Sequence, residues 1–139
     1  MKHILLSIHT KYVEKILDGS KKYEFRGWRL SNKIKYVYIY SSGLEKKVVA
    51  KFEVSQIHEN SPKNIWNQFK YDSGVEEEEY KKYVNSFNYA KIYAIEIKNL
   101  EIFQPSLSLS EIDENLHPPQ KFKYLNEKQI KLLERHLST

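Results

Sequence analysis

Short runs in which apolar and polar residues alternate cover much of the chain, and this pattern predicts β-strands joined by turns and brief helices. Strands are predicted at residues 3 to 9, 22 to 29, 34 to 40 and 47 to 54, at 88 to 98 with an extension to 103, and in an extended segment at 121 to 124. The Gln104-Pro105 pair is expected to break the pattern, because proline has no N–H for strand pairing.

Apolar residues spaced three and four positions apart predict short helices between these strands. They are expected to begin at Thr10 as an N-cap, at Ser61-Pro62, after the acidic run at 76 to 79, as one turn at 108 to 112, and at Asn126. Gly19 stands where a glycine commonly ends a helix. The last helix is predicted over about residues 126 to 138.

The order of these elements predicts the fold class. The crossovers are too short for a doubly wound parallel sheet, and the early strands are joined by turns. No repeat, linker or shift in composition divides the 139 residues, a length typical of one domain. We therefore expect a single α+β domain over residues 1–139: a small mixed β-barrel with short peripheral helices.

The amino-acid composition limits which metal sites, cofactors and membrane segments the chain can have. The chain has no cysteine, and its five histidines show no paired metal-ligand spacing, so the sequence predicts no metal site and no cofactor. No stretch approaches the roughly 20 apolar residues that a membrane span needs, and the apolar start is too short for a signal peptide. We expect a cytoplasmic protein with no membrane contact.

Charge is distributed unevenly along the chain. Residues 1 to 36 contain nine Lys and Arg against three acidic residues, whereas residues 37 to 139 contain fourteen against fifteen. Positive charge concentrated beside aromatic residues is typical of nucleic-acid binding, although basic surfaces also serve solubility alone.

The basic region contains one compact cluster of ionic residues, at the start of the second predicted strand. Alternation places Glu24, Arg26 and Trp28 on one face of this strand, with Lys21 at its beginning. Such a cluster can bind a polar ligand. It can also be a set of solvated surface ion pairs of little energetic value.

These residues carry a resemblance to a known family. The segment Gly19-x-Lys21-x-x-Glu24-x-Arg26 resembles the Gly-x-Lys-x-x-Glu-x-Arg signature of ASCH domains, which have a PUA-like barrel fold. The resemblance extends to Leu6-Ser7-Ile8, Ile39-Tyr40-Ser41-Ser42, Lys47-Val48-Val49, Ser61-Pro62 with Trp66, and Pro118-Pro119-Gln120-Lys121-Phe122-x-Tyr124. It is strongest with a bacterial and archaeal branch whose members are labelled predicted transcriptional regulators.

The resemblance implies a cleft between the first helix and the barrel that takes RNA or a nucleotide-like ligand, with DNA as an open alternative. The residues expected to line it are Ser7, Lys21, Glu24, Arg26, Trp28, Tyr40, Ser41 and Ser42. Lys21 and Arg26 would neutralise phosphate. Glu24 would accept a hydrogen bond from a base or hold Arg26 in place, and Trp28 and Tyr40 would stack on bases.

The sequence also departs from the family. Position 27 is glycine where many members have a second basic residue. Some ASCH proteins are amidohydrolases of acylated cytidine with a threonine nucleophile three residues after the signature lysine, and here that position is Glu24. A small hydrolase of RNA or acylated nucleosides, with Lys21 and Glu24 as catalytic residues, is therefore the alternative function. A protein-interaction module that uses the helix after residues 76 to 79 and the terminal helix is a third.

Overall fold

A six-stranded mixed sheet runs through residues 1–137, the part of the chain that this computed structural model describes. The strands are β1 (Lys2–His9), β2 (Tyr23–Arg26), β3 (Ile34–Ser42), β4 (Lys47–Asn60), β5 (Ile92–Leu107) and β6 (Phe122–Tyr124). Their order in the sheet is β2-β5-β4-β3-β1-β6, and β1 and β3 form its one parallel pair in the described chain. The sheet curls into a half-barrel, which confirms the predicted α+β class and mixed barrel architecture.

Helices lie around this sheet. They are α1 (Thr10–Leu17), α2 (Pro62–Phe69), α3 (Glu77–Phe87), α4 (Leu109–Ile112) and α5 (Glu127–Leu137), with a 3-10 turn at Lys70–Asp72. Helix α5 follows a cap at Asn126, whose Oδ1 accepts a hydrogen bond of 2.8 Å from the backbone N–H of Gln129. Residue 138 of the predicted terminal helix lies outside the described residues.

Several predicted boundaries were wrong. Strand β2 ends at Arg26, where the prediction extended to 29, and β4 continues to Asn60, where the prediction ended at 54. Two further differences have identifiable reasons. Strand β5 continues through Pro105 to Leu107, because its pairing with β4 changes register between Ala50 and Val48. A proline in such an irregular stretch interrupts no regular ladder. The N-cap of α1 is His9, whose Nδ1 accepts from the N–H of Lys11.

Thr10 does not cap α1, because its hydroxyl is hydrogen-bonded elsewhere. Its Oγ1 donates to the carbonyl oxygen of Ser42 at 2.5 Å and lies 2.9 Å from the hydroxyl of Ser41. The threonine therefore joins the start of the helix to the end of β3.

The core has hydrophobic clusters on both faces of β3. Val37 and Ile39 pack into one cluster with β1 and α1, while Tyr38 and Tyr40 pack into another with the C-terminal elements. A third cluster joins β2 and β5 to α2 and α3, and Phe25 is its contribution from β2. This third cluster brings α3 beside the motif strand. Within residues 1–137, no helix has the length and apolar character needed to cross a membrane.

Candidate functional site

A cavity of about 230 Å³ lies where β1, α1, β2 and α3 meet. Its lining residues are Ser7, Ile8, His9, Tyr12, Lys21, Glu24, Phe25, Arg26, Val75, Glu79, Tyr80 and Tyr83. The volume is below the roughly 300–1,000 Å³ typical of pockets for drug-sized ligands. The cavity therefore suits a small group or one part of a larger ligand.

Lys21 is enclosed by protein, with 2% of its surface exposed. Its ammonium donates to the carbonyl oxygens of Tyr23 at 2.9 Å and Ser73 at 2.6 Å, and lies 3.3 Å from Oε1 of Glu24. An ammonium has three protons to donate, and these three acceptors match them. Lys21 thus ties the loop before α3 to β2 and supplies the counter-ion of Glu24.

Glu24 and Arg26 form a second, tighter ion pair beside the first. Oε2 of Glu24 accepts from Nε of Arg26 at 3.0 Å and from Nη2 at 2.5 Å. Nη2 also donates to the carbonyl oxygen of Ser7 at 2.9 Å. Nη1 of Arg26 has no hydrogen-bond acceptor among residues 1–137, and the side chain is 16% exposed. Arg26 is therefore held in place and still has donors for a ligand.

The environment shifts the pKa of both buried partners. Burial lowers the pKa of Lys21 from its usual value, against the attraction of Glu24. Burial acts to raise the pKa of Glu24, but the charges of Arg26 and Lys21 and their hydrogen bonds outweigh it, so this pKa lies below its usual value. Glu24 is thus held as a carboxylate.

This depressed pKa predicts a specific loss of stability in acid. A carboxylate whose folded-state pKa is lowered stabilises the fold above its unfolded pKa, and that contribution is lost as the pH falls through the folded value. Urea unfolding followed from pH 7 down to about pH 3 should show a smaller drop in unfolding free energy for Glu24→Gln than for the unaltered protein. Glu114→Gln, which changes an exposed carboxylate, should retain the full drop. Parallel pH profiles for the Glu24 variant and the unaltered protein would contradict the assignment.

Aromatic side chains form much of the remaining wall. Tyr12 donates from its hydroxyl to Oε2 of Glu79 at 2.9 Å, and Lys11 contacts the same oxygen at 2.5 Å. Burial and the contact with Glu79 raise the pKa of Tyr12 to about 12. Burial likewise raises the pKa of Tyr83 to about 12, and its hydroxyl accepts from the N–H of Gly27 at 3.0 Å. The tyrosines are therefore neutral, fixed aromatic surfaces.

Four of the eight predicted ligand-binding residues line this cavity: Ser7, Lys21, Glu24 and Arg26. Ser7 contributes a hydroxyl that donates to the carbonyl oxygen of Pro119 at 2.6 Å. Trp28 is not among the residues that line the cavity, and its ring lies 5.6 Å from the guanidinium of Arg26, which does line it.

The structure does not bring the other three predicted residues to the cavity. Tyr40 is 4% exposed within the cluster that packs under α5, so its ring has no free face for a base. Ser41 is fully buried against Thr10, and Ser42 accepts at its carbonyl oxygen from the same threonine. All three residues serve packing and the α1 to β3 connection.

Sequence reasoning missed the cavity residues that α3 and the loop before it contribute. The acidic run at residues 76 to 79 is solvated only in part, with Glu77 and Glu78 exposed. Glu79, however, is turned toward Tyr12, and Tyr80 and Tyr83 follow it on the wall. Tyr80 and Tyr83 have the spacing of residues on the buried face of a helix. The sequence pattern therefore does not distinguish residues that line a cavity from residues of the core.

Gly27 has a structural explanation. A Cβ at this position would lie 2.2 Å from ring atoms of Tyr89, which packs beside Tyr83. Any side chain larger than hydrogen at this position would displace that ring. Glycine at position 27 therefore leaves the space that the ring of Tyr89 occupies beside Tyr83.

The site as a whole combines a charge-balanced polar side with aromatic walls. Lys21 and Arg26 oppose Glu24 and Glu79, and Lys11 adds a cation at the rim. Among the described residues, no three His, Asp or Glu side chains are grouped so that they could hold a metal ion. This is the chemistry of a pocket for a flat, polar-edged group.

The curled half-barrel sheet with short helices around it is consistent with the PUA-like class of folds, which is generally linked to RNA binding. The family profile described as ASCH domain matches residues 6–101, more than half of the chain. The protein therefore belongs to the ASCH domain family, as its signature predicted.

Solved structures establish the same fold. ASCH from Zymomonas mobilis is 20% identical, with a TM-score of 0.87 over 96% of this chain and 94% of that one. A serine-to-alanine mutant of that protein is 21% identical, with a TM-score of 0.87 and coverage of 96% and 95%. The N-terminal domain of Staphylothermus marinus McrB is more distant, with 9% identity, a TM-score of 0.59 and coverage of 96% and 93%. A comparison with curated protein sequences finds no match.

Proposed function

We propose that this protein binds RNA or a nucleotide-like ligand and that the cavity beside α1 receives the base. The observation that carries the proposal is the Glu24 and Arg26 pair, presented with fixed geometry inside a cavity walled by Tyr12, Phe25 and Tyr83. A base has a flat face for aromatic contact and a polar edge for hydrogen bonds, and proteins that recognise single-stranded RNA use both.

The polar groups in the cavity match the edge of a base better than a phosphate. Arg26 can donate from Nη1, while the carboxylates of Glu24 and Glu79 can accept from an exocyclic amine. Two carboxylates on the wall would repel a phosphate inside the cavity. Phosphate contact is better assigned to the rim, where Lys11 is half exposed and Lys15 lies against Gly74.

The geometry also assigns Lys21 a different role from the phosphate contact proposed from the sequence. Its protons are directed to two carbonyl oxygens and Glu24, so a phosphate would have to displace one of these acceptors. We infer that Lys21 is a positioning residue that holds Glu24.

The low pKa and the ion pairs of the Glu24 carboxylate favour binding over hydrolysis. A general base works best with a pKa near the operating pH, whereas the pKa of Glu24 is held low and its oxygens contact Lys21 and Arg26. The hydroxyl of Ser7 donates to Pro119, not to a base that could activate it.

Fluorescence anisotropy with labelled single-stranded RNA tests the proposal. Arg26→Gln should weaken binding by about 10- to 150-fold, because a hydrogen bond to a charged group is worth about 1.5–3 kcal/mol. If Arg26 also neutralises a phosphate at the cavity mouth, the slope of log affinity against log salt should fall by about 0.7. Arg26→Lys should preserve the slope and lose part of the affinity.

The matched control is Arg29→Gln, which removes the same charge from an exposed side chain paired with Glu59. It should change affinity less than about threefold if the effect belongs to the cavity. Thermal unfolding of each variant establishes that binding is compared between folded proteins. No affinity of the unaltered protein for RNA, or equal losses in the Arg26 and Arg29 variants, would overturn the proposal. Turnover of an acylated nucleoside that disappears in Glu24→Gln would favour the hydrolase.

A further inference from the structure

A continuous row of rings begins beside Arg26, which lines the cavity, and ends on edge strand β6. The guanidinium of Arg26 lies 5.6 Å from the ring of Trp28. Trp28 stacks on Phe122 with ring centroids 5.4 Å apart and an angle of 26°. Phe122 meets Tyr124 edge-on at 5.5 Å. Trp28, Phe122 and Tyr124 form what we call the aromatic row.

Two further cations flank the aromatic row. Lys121 lies 5.7 Å from the ring of Trp28, and Lys2 lies 5.9 Å from the ring of Tyr124. Neither lysine forms an ion pair with a carboxylate within residues 1–137. Their charges are therefore not neutralised by the protein and are available to an anionic partner.

The rings are anchored and accessible at the same time. Trp28 and Phe122 pack in part against the core cluster that includes Leu6, and both remain partly exposed. Tyr124 is 50% exposed. Pairing with β1 fixes the positions of Phe122 and Tyr124 opposite Leu6 and Ile4. Bases that stack on such rings meet surfaces already held in place.

We propose that the ligand is a base within a single strand of RNA, and that neighbouring nucleotides of the strand lie along the aromatic row. This inference rests on the proposed function of the cavity and specifies its substrate class, a strand in preference to a free nucleotide. Rings interleaved with unpaired cations bind single strands, because any base can stack on a ring while the cations follow the phosphates. Arg26 belongs to both surfaces and connects them.

Binding of a labelled mononucleotide and of single-stranded RNAs of two to six nucleotides tests the inference. Affinity should rise with length, by at least tenfold between the mononucleotide and the hexamer. Tyr124→Ala combined with Lys121→Gln should remove most of this gain and leave mononucleotide affinity unchanged. Tyr124 is half exposed, so this variant keeps the contact between Trp28 and Phe122 that lies beside the core.

The control is a lysine and tyrosine pair elsewhere on the protein. Lys70 lies 5.3 Å from the ring of Tyr71, which is 87% exposed. Tyr71→Ala with Lys70→Gln removes the same ring and charge and should leave both affinities unchanged.

The outcomes separate this inference from the proposed function. The proposed role of the aromatic row would be overturned by equal affinity for the mononucleotide and the hexamer. It would also be overturned if the Tyr124 and Lys121 variant kept the rise in affinity with RNA length. In both cases the cavity proposal stands. Absence of affinity for every RNA and nucleotide would overturn both. Equal affinity of the protein for a DNA hexamer and an RNA hexamer of the same sequence would overturn the assignment to RNA.

Discussion

Replacing Glu24 with alanine is expected to lower the free energy of unfolding by about 3–5 kcal/mol, the usual cost of removing one partner from a buried ion pair. Glu24 is 6% exposed, and the ammonium it faces is more deeply enclosed. Without this carboxylate Lys21 keeps two carbonyl acceptors but no counter-ion, and Arg26 keeps the carbonyl oxygen of Ser7 but loses its ion pair. Urea denaturation at neutral pH measures the loss.

The control and a second variant make this prediction specific. Glu114→Ala changes an exposed carboxylate and should alter the unfolding free energy by no more than about 0.5 kcal/mol. Lys21→Met with Glu24→Leu should be less damaging than Glu24→Ala. Arg26 loses its carboxylate in both variants, but only Glu24→Ala leaves the enclosed ammonium of Lys21 without a counter-ion. A loss below about 1 kcal/mol for Glu24→Ala would mean that the pair is solvated and contributes as little as a surface ion pair.

Filling the cavity is expected to reduce RNA affinity by up to about 100-fold. Val75→Trp places an indole, a group about as large as a base, on the cavity wall. A base that can no longer enter loses its aromatic contacts, worth roughly 1–3 kcal/mol, together with its hydrogen bonds to the Glu24 and Arg26 pair. Anisotropy titration with single-stranded RNA measures the effect, and the melting temperature shows whether the variant remains folded.

The chain offers a matched control for this substitution. Val84 lines a separate groove between α2 and α3, with Trp66 and Asn67 opposite. Val84→Trp introduces the same side chain near the same helix and should leave affinity unchanged. If both variants bind RNA as the unaltered protein does, the base does not occupy the cavity. If both lose affinity equally, general disturbance of α3 explains the loss.

The strands and helices were largely predictable because each depends on the pattern of apolar and polar residues within its own segment. The alternation of side chains along a strand puts Val37 and Ile39 on one face of β3 and Tyr38 and Tyr40 on the other, and the structure buries both faces. The ends were less predictable. Strand β5 begins at Ile92, four residues later than expected, because α3 extends to Phe87 and ends in a left-handed cap at Asn88.

Of the candidate site, only the residues that lie close together in the sequence were predictable. Lys21, Glu24 and Arg26 are close in sequence, so their meeting follows from strand geometry. The acceptor Ser73 is 52 positions further along the chain, and its contact with Lys21 depends on how α3 packs against β2. Tyr40 was misassigned for the same reason, since α5 and its neighbours cover the face on which it lies.

The sequence by itself determined the order of strands and helices, the family signature and the concentration of positive charge near the N-terminus, because each depends on neighbouring residues. Only the tertiary structure decided which charges are enclosed and which tyrosines face a cavity, and it separated Lys21, a buried partner of Glu24, from Arg26, which keeps donors for a ligand. The physical reason is that desolvation depends on the segments that cover a side chain, and here those segments come from distant parts of the chain.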